Sequence, residues 1–494
     1  MYYPNNSIKI DEIKTLPSCQ EQNGLSISDK LLELVQVFNL KSLCSKNGMV
    51  KHKGYAVSEI FTVLILFPFM AISTVRSFYR SRFNKLIQAQ KDTFFRLKNN
   101  ENYNWRSFIY LFAKRLKTLT KKSKSDTAET PKCLIVDDTV INKVGTRLEF
   151  IGKIFDHVSM RHVLGFKLLL MAFWDGNSLI PLDFSYHTEK GKNKKYPFGL
   201  FKRQLKKRFS KQRNKKSAGC KRAKELSVDK ITNAIAMIKR AVKHGFIPDY
   251  VQTDSWFSVE RLIKTVRQIK KGIIHFLGMV KMDKRLYEYQ GQKLNAKQLK
   301  KQLKSNMKRA KKLNIYYIEV IVNYSDIGRV KLFFTRFSKR SKWRLLMTTN
   351  LNLTFHQTIE IYNLRWTIEV LFKECKQLLN LGQCQSNDFD AQIADASISL
   401  IIYMMLSFHK KINCYNTLGE LFSQYRDDFI EATVAQKLWE LFLTIQLKIA
   451  EVLEIDYNKF MQVIFQTPEF QNSLKSLLKI FPEDNLSVEL NKAT

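Results

Sequence analysis

Acidic side chains directly follow two short apolar runs of the chain. Asp137 and Asp138 follow Cys133–Val136, and Asp254 follows Tyr250–Thr253. A carboxylate at the end of a buried strand costs free energy unless a cation or a hydrogen-bond donor meets it. Carboxylates from neighbouring strand ends, joined by one from a helix, can hold two divalent cations on a phosphodiester. This pattern predicts metal-dependent phosphoryl transfer.

The third acidic candidate, Glu369, lies in a segment with helical spacing that predicts one long helix over 354–379. Five residues at intervals of 3, 4, 4 and 3 positions would share a face of it: Tyr362, Arg365, Glu369, Lys373 and Lys376. Such a face combines a carboxylate with a guanidinium, two ammonium groups and a phenol, and would suit phosphate contacts beside a metal ligand. A solvated helix face with Glu–Lys pairs is the alternative.

Apolar patterning predicts the elements that position these carboxylates. Short β-rich runs followed by alternating helical and strand-like segments are typical of an α/β fold with a mixed sheet flanked by helices. The expected division is a helical N-terminal region 1–128, a first α/β part 129–280, a β-rich insertion 281–342, a second α/β part 343–414 and a helical C-terminal region 415–494.

The chain is strongly basic. Its 494 residues carry 83 Lys and Arg against 44 Asp and Glu, a formal charge of +39, so the expected partner is a polyanion such as nucleic acid. Two runs lack acidic residues, with 16 basic among the 35 of 190–224 and 8 among the 16 of 297–312. Either run could contact DNA or form a solvated loop or helix face. Residues 415–494 are instead acidic, with 12 acidic against 7 basic residues.

Composition and motifs exclude several classes of protein. An apolar content of 45% excludes disorder. The most apolar stretches, Ile60–Ile72 and Ile398–Phe408, are shorter than the roughly 20 residues of a membrane span and predict buried helices. The first residues lack the pattern of a signal peptide, so a cytoplasmic protein is expected. Seven Cys without a CxxC predict reduced thiols and no structural zinc. The sequence contains no GxxxxGK(S/T) phosphate-binding loop, so a mechanism driven by ATP is not indicated.

Four residues of the predicted helix carry a resemblance to a known family. Tyr362, Arg365, Glu369 and Lys376 match every position and gap of the Tyr-x2-Arg-x3-Glu-x6-Lys signature of insertion-sequence transposases of the IS-four type, within the DDE superfamily. VDDT at 136–139 resembles the first-strand Asp-x-Thr motif of that family, and TDSWFS at 253–258 resembles its second Asp motif. The resemblance implies an RNase H-like catalytic domain interrupted by a β-rich insertion.

The resemblance also implies a catalytic site and partners. Asp137, Asp254 and Glu369 would coordinate two Mg2+ ions, for which Mn2+ could substitute. The residues implied to bind DNA phosphates are Tyr362, Arg365 and Lys376. Such an enzyme would cut double-stranded DNA at the terminal inverted repeats of its element and join the ends to target DNA, as a homodimer in a synaptic complex.

Several alternatives stay open at this point. Asp137 is the preferred first ligand because Thr139 then takes the hydroxyl position of the motif, but the strand register could instead present Asp138. An inactive DNA-binding derivative, or a metal nuclease without strand transfer, are the alternative functions. Trp256, Phe257 and Trp366 are predicted to be core residues.

Regions outside the α/β unit give weaker signals. Aromatic residues of the insertion that could stack on a DNA base are Tyr287, Tyr289, Tyr316, Tyr317 and Trp343. The N-terminal helices could bind the element ends through Arg76, Arg80, Arg82 and Lys85, or serve as a scaffold. An amphipathic helix near 438–445 could form a dimer contact or pack on its own catalytic domain.

Overall fold

The computed structural model describes residues 34–121, 130–338, 340–412 and 417–427, together with scattered positions between 445 and 469. Of the tail helix predicted near 438–445, only Ile445 is among the described residues, and it is 47% exposed. The N-terminal region contains α1 (Leu40–Lys46), α2 (Val57–Leu66), α3 (Val75–Arg80), α4 (Lys91–Lys98) and α5 (Trp105–Lys121). Helical structure from 34 to 121 agrees with the prediction for this part of the chain.

One mixed sheet of twelve strands follows. Its strands are β1 (Cys133–Asn142), β2 (Gly152–Asp156), β3 (Arg161–Trp174), β4 (Leu179–His187), β5 (Tyr250–Thr253), β6 (His275–Val280), β7 (Leu286–Tyr289), β8 (Gln292–Asn295), β9 (Lys308–Ala310), β10 (Ile315–Tyr324), β11 (Gly328–Arg336) and β12 (Arg344–Thr348). The flanking helices are α6 (Lys202–Lys206), α7 (Ala218–Glu225), α8 (Lys230–Lys243), α9 (Glu260–Gln268), α10 (Ala296–Gln302), α11 (Phe355–Asn363), α12 (Trp366–Leu378) and α13 (Phe389–Ile412). The predicted mixed sheet flanked by helices is confirmed and is consistent with an RNase H-like transposase domain.

Strand pairing brings the predicted acidic positions to one edge. The central order is β3-β1-β5-β6, with β1 antiparallel to β3 and parallel to β5. The pairing of β1 with β5 ends at Val136 and Thr253, but β1 continues to Asn142 against β3. The expectation that Asp137 ends its strand is therefore wrong: Asp137 lies inside β1, beside the end of β5 that Asp254 follows. The first four residues of β1 are fully buried, as expected for an apolar strand between two neighbours with both faces covered.

The predicted insertion is not a separate sheet. Strands β10 and β11 continue the central sheet through β12, which pairs antiparallel with both β11 and β6. This arrangement covers the edge of β6, which would otherwise expose unpaired backbone groups. The short strand β2 was not predicted, because GKIFD is brief and follows a segment without clear alternation.

The single long helix predicted over 354–379 is wrong, because the segment forms two helices. The chain tightens between α11 and α12: the backbone N–H of Arg365 bonds to the carbonyl of Tyr362, and that of Ile368 bonds to the carbonyl of Arg365. These bonds join residues three apart, as in a 3₁₀ turn, and neither Pro nor Gly marks the position. Tyr362 therefore lies on α11, while Glu369 and Lys376 lie on α12.

The N-terminal helices and the sheet share one hydrophobic core, which also holds α13. Helix α13 contains the predicted apolar stretch 398–408 but is longer than that stretch suggested. By length and composition its residues 389–411 could cross a membrane, yet 89% of this apolar window is buried inside the protein, as in the core helix of a soluble protein. The prediction of a buried helix is confirmed for 398–408. The stretch 60–72 is buried except at Thr62 and Ala71, but it is helical only as far as Leu66 and continues in turns.

Part of the basic run 190–224 is engaged in buried ion pairs. Arg222 lies near Asp183, a fully buried carboxylate on β4 that also accepts hydrogen bonds from Arg106 Nε at 2.7 Å and Arg240 Nε at 2.8 Å. Arg106 belongs to α5, so this cluster ties the N-terminal region to the sheet. Some basic residues of the run 190–224 therefore form buried ion pairs within the fold. The predicted alternatives, a solvated loop and a DNA contact, do not describe the entire run.

Candidate active site

The two neighbouring aspartates of β1 point to opposite faces of the sheet, as alternate strand residues do. Asp137 Oδ2 lies 2.8 Å from Nη1 of Arg365, at the start of α12. Asp138 instead forms an ion pair with Lys230 at the start of α8. Tertiary structure thus places Asp137, and not Asp138, on the side of Glu369.

Arg365 bridges two of the three predicted catalytic carboxylates. Its Nη1 binds Asp137 and its Nη2 donates to Oε1 of Glu369, one helical turn further along α12. The Arg365 side chain is 15% exposed, so the guanidinium is held in a largely dry environment. Paired N–H donors of this kind recognise carboxylates with a fixed geometry. A single guanidinium therefore joins the middle of β1 to the start of α12.

Asp254 is held by the turn that follows β5. Its Oδ1 accepts the backbone N–H of Trp256 at 2.9 Å and that of Phe257 at 3.1 Å. Two such bonds fix the carboxylate orientation before any ligand binds. The side chain is also close enough to Asp137 for its charge to raise the pKa of that group.

The electrostatic environment of Asp137 is unusual. Burial raises the pKa of its carboxyl to about 7, the charge of Asp254 adds to the rise, and the guanidinium of Arg365 opposes it. An acid whose pKa lies near neutrality beside a second carboxylate is typical of a functional site.

The other residues of the predicted signature also face the end of β1. Lys376 Nζ donates to Oγ1 of Thr139 at 2.7 Å and to the carbonyl of Val140 at 2.8 Å. Burial lowers the pKa of Lys376. The ring of Tyr362 has its centroid 5.9 Å from the guanidinium of Arg365. Lys376 therefore anchors β1 to α12 in this structure, and a phosphate contact from it stays a prediction.

Two aromatic residues that were predicted to lie in the core are exposed next to the site. Trp256 is 40% exposed and its ring lies 3.8 Å from the ammonium of Lys230, whereas Trp366 is 49% exposed. The core prediction is wrong for both residues and correct for Phe257, which is buried. One signal in the sequence was available: Trp256 follows Asp254 in the turn after β5, and residues of a turn are commonly exposed.

The aromatic candidates of the insertion are mostly engaged within the fold. Tyr287 is fully buried, Tyr317 stacks on Phe355 with centroids 4.0 Å apart, and Trp343 lies 4.6 Å from the guanidinium of Arg336. Tyr289 and Tyr316 are partly buried as well. A base-stacking role for any of them stays a prediction, and Trp256 is the more accessible ring.

The donor set suits a hard divalent cation. Asp137, Asp254 and Glu369 offer only oxygen atoms, the donors that Mg2+ and Mn2+ prefer. Within the described residues, however, no group of three or more His, Cys, Asp or Glu is arranged as a ready metal site. The guanidinium of Arg365 lies between Asp137 and Glu369 and forms an ion pair with each.

Residues 225–405 match the family model described as the transposase DDE domain. The match supports a DDE transposase. The matched segment covers less than half of the chain and includes Asp254, Glu369 and the rest of the predicted signature, while Asp137 precedes it. No curated protein matches the chain. DDE transposases act on DNA and generally use divalent metal ions; the IS-four assignment stays a prediction.

Replacing Asp137 by Asn is expected to stabilise the metal-free protein at about pH 8, by on the order of 3 kcal/mol, with little effect near pH 4. The parent must ionise a buried carboxyl as the pH rises, whereas Asn stays neutral. Because the pKa of about 7 in the folded state exceeds the ordinary value of 3.8, the folded state holds this proton more tightly than the unfolded chain. The stabilising contribution of the protonated Asp137 is therefore present at low pH and is lost as the pH rises from about 4 to above 7.

Urea unfolding in the presence of a chelator, repeated across this pH range for parent and variant, measures the effect. A gain in stability that is the same at both ends of the range would contradict the buried ionisation. A loss at high pH would show that the ion pair with Arg365 outweighs the cost of burial.

Proposed function

We propose that this protein is the DNA transposase of an insertion sequence. It would cut double-stranded DNA at the ends of its element by metal-dependent hydrolysis and join the ends to target DNA by transesterification. The observation that carries the proposal is the grouping of three acids: Arg365 joins Asp137 to Glu369, and Asp254 lies close enough to Asp137 to raise its pKa. Two of these acids, Asp254 and Glu369, lie inside the matched transposase DDE domain.

Each carboxylate has a defined part in this proposal. Asp137, Asp254 and Glu369 would hold the cations. When bound, two Mg2+ ions supply Lewis acidity for the attacking and leaving oxygens of the phosphodiester. The turn after β5 orients Asp254 through two backbone N–H groups, so its second oxygen is free to act as a ligand.

Arg365 would change partners during the reaction cycle. In this structure it neutralises Asp137 and Glu369, and a bound cation would take over that neutralisation. The released guanidinium has donors suited to a DNA phosphate, the role that the resemblance implies for it. Lys376 would keep the end of β1 in place through Thr139 and Val140 while this exchange occurs.

The charge distribution supports DNA as the partner. The +39 charge is concentrated before residue 415, and Arg76 and Arg80 are exposed on α3. Binding of the element ends by the N-terminal region is part of the proposal. A homodimer in a synaptic complex and a cytoplasmic, nucleoid-associated location belong to the same proposal.

The test uses the full chain and duplexes that carry the DNA flanking its reading frame on both sides. With Mg2+ or Mn2+, we expect cuts at inverted repeats in that DNA and joining of the cut ends to a target plasmid. A chelator should abolish both products. Cutting without joined product would favour a metal nuclease, and sequence-specific binding without cutting would favour an inactive DNA-binding derivative.

A further inference from the structure

Two large apolar side chains are exposed at the tip of the β2–β3 hairpin. Val158 is 94% exposed and Met160 is 71% exposed, within a turn that spans 157–160. Single exposed apolar residues are ordinary on protein surfaces, but two of them on one short projecting turn are characteristic of a contact surface. Within the part of the chain that the structure describes, both side chains are mostly uncovered.

The hairpin tip is preformed. Asp156 Oδ1 accepts the backbone N–H of Val158 at 3.0 Å, and its Oδ2 accepts the hydroxyl of Ser159 at 2.6 Å. Asp156 also pairs with Arg161 across the strands, which closes the turn. A tip held in this way loses little conformational freedom when it meets a partner, so its apolar groups can contribute fully to binding.

The tip adjoins the candidate active site. The hydroxyl of Ser159 lowers the pKa of Asp156, and the ammonium of Lys376 acts on the same carboxylate. On the other side of the hairpin, Phe155 and His157 line a cavity shared with Lys230 and Trp256. The hairpin therefore lies beside Lys376 and beside the turn after β5 that holds Asp254.

Charge decides which partner fits the tip. The segment 157–162 contains Arg161 and two His residues, all exposed, and no acidic residue. Its surroundings belong to the strongly basic part of the chain. Apolar side chains beside Arg or other polar groups are the arrangement with which some proteins enter DNA between base steps, partly unstacking them and kinking the duplex.

We propose that Val158 and Met160 form a wedge that inserts between base pairs of duplex DNA beside the candidate active site. The proposal rests on the proposed function for its choice of DNA as the partner. It adds a distinct task, local unstacking of the duplex, which would expose the phosphodiester next to Asp137 and Asp254.

The test compares the affinity of the metal-free full chain for a short paired duplex and for the same duplex with two adjacent central mismatches. Mismatches remove part of the unstacking cost in advance, so we expect the parent to bind the mismatched duplex about tenfold more tightly. In the double variant Val158→Ser and Met160→Ser this preference should fall to about twofold or less, with nearly unchanged affinity for the paired duplex. Fluorescence anisotropy at fixed salt measures both affinities.

The matched control is Ile273→Ser, which removes an apolar side chain that is 70% exposed before β6, at the opposite end of that strand from the site. It should keep the preference of the parent. Should the serine variant lose its circular dichroism signal, Val158→Ala with Met160→Ala replaces it.

The wedge is overturned if the parent binds both duplexes equally, or if the double variant keeps the preference. It is also overturned if the substitutions change only the mass of the protein in solution, since the tip would then be a contact between protein chains. Because no cation is added, these outcomes are independent of cutting. A protein that prefers mismatched DNA but never cuts its own flanking DNA would retain the wedge and refute the transposase.

Discussion

Replacing Asp137 by Asn is expected to reduce metal-dependent cutting of DNA by on the order of 10³-fold or more, whereas Asp138→Asn should change it by less than about tenfold. The two substitutions make the same chemical change at adjacent positions of one strand. Asp137 faces Arg365 and Glu369, while Asp138 faces Lys230 on the opposite side of the sheet. Only the first should remove a ligand of the reacting phosphodiester's cations.

Single-turnover cutting of an end-labelled duplex in Mg2+ measures the two rates. DNA affinity should stay within about twofold for both variants, because a neutral side chain at either position removes no phosphate contact. Equal losses in the two variants would show that both aspartates act in catalysis. A fully active Asp137→Asn would refute the assignment of the first ligand.

Replacing Arg213 by Ala is expected to lower the free energy of unfolding by about 3–5 kcal/mol, the usual cost of leaving buried charges without their partner. Arg213 lies in the middle of the basic run 190–224, yet its side chain is only 4% exposed. Its Nη1 and Nη2 bind Glu149 at 2.7 and 2.6 Å, and its Nε binds Asp390 at 3.0 Å. Without Arg213, Glu149 would be left as a buried carboxylate lacking its bidentate partner.

Lys215→Ala is the matched control, since Lys215 is exposed in the same run two positions away. It should change the free energy of unfolding by less than about 0.5 kcal/mol. If it contacts DNA, its loss should reduce the salt dependence of binding by about one counterion. Urea unfolding and DNA titrations at several salt concentrations separate the two effects. A stable Arg213→Ala protein that binds DNA poorly would contradict a structural role.

The sequence predicted the strands that carry the site because their signals are local. Apolar runs such as Cys133–Val136 mark a strand buried on both faces. They do not mark where the strand ends, because β1 continues through Asp137 and Asp138 to Asn142. The mixed sheet followed from the alternation of such segments with amphipathic helices. The break between α11 and α12 could not be predicted in this way, since a 3₁₀ tightening at Arg365 needs no Pro or Gly and leaves the helical spacing of the signature intact.

Burial of single side chains was harder to predict than secondary structure. Trp256 and Trp366 have large apolar side chains of the kind usually found in a core. In the structure, however, both side chains are exposed to solvent. Arg213 shows the opposite error. A basic run predicts an exposed side chain, whereas Arg213 is buried in ion pairs with Glu149 and Asp390. Such outcomes depend on partners far away in the chain, which no window of sequence contains.

The sequence by itself determined that acidic residues follow two buried apolar runs and that Glu369 shares a helical spacing with Arg365 and Lys376. It left open whether Asp137 or Asp138 joins them. Only the tertiary structure decided this, by placing Arg365 against an aspartate 228 positions earlier in the chain. The physical reason is that adjacent residues of a strand point to opposite faces of the sheet, and the local sequence does not fix which face will carry the site. Only the packing of α12 against one face distinguishes Asp137 from Asp138.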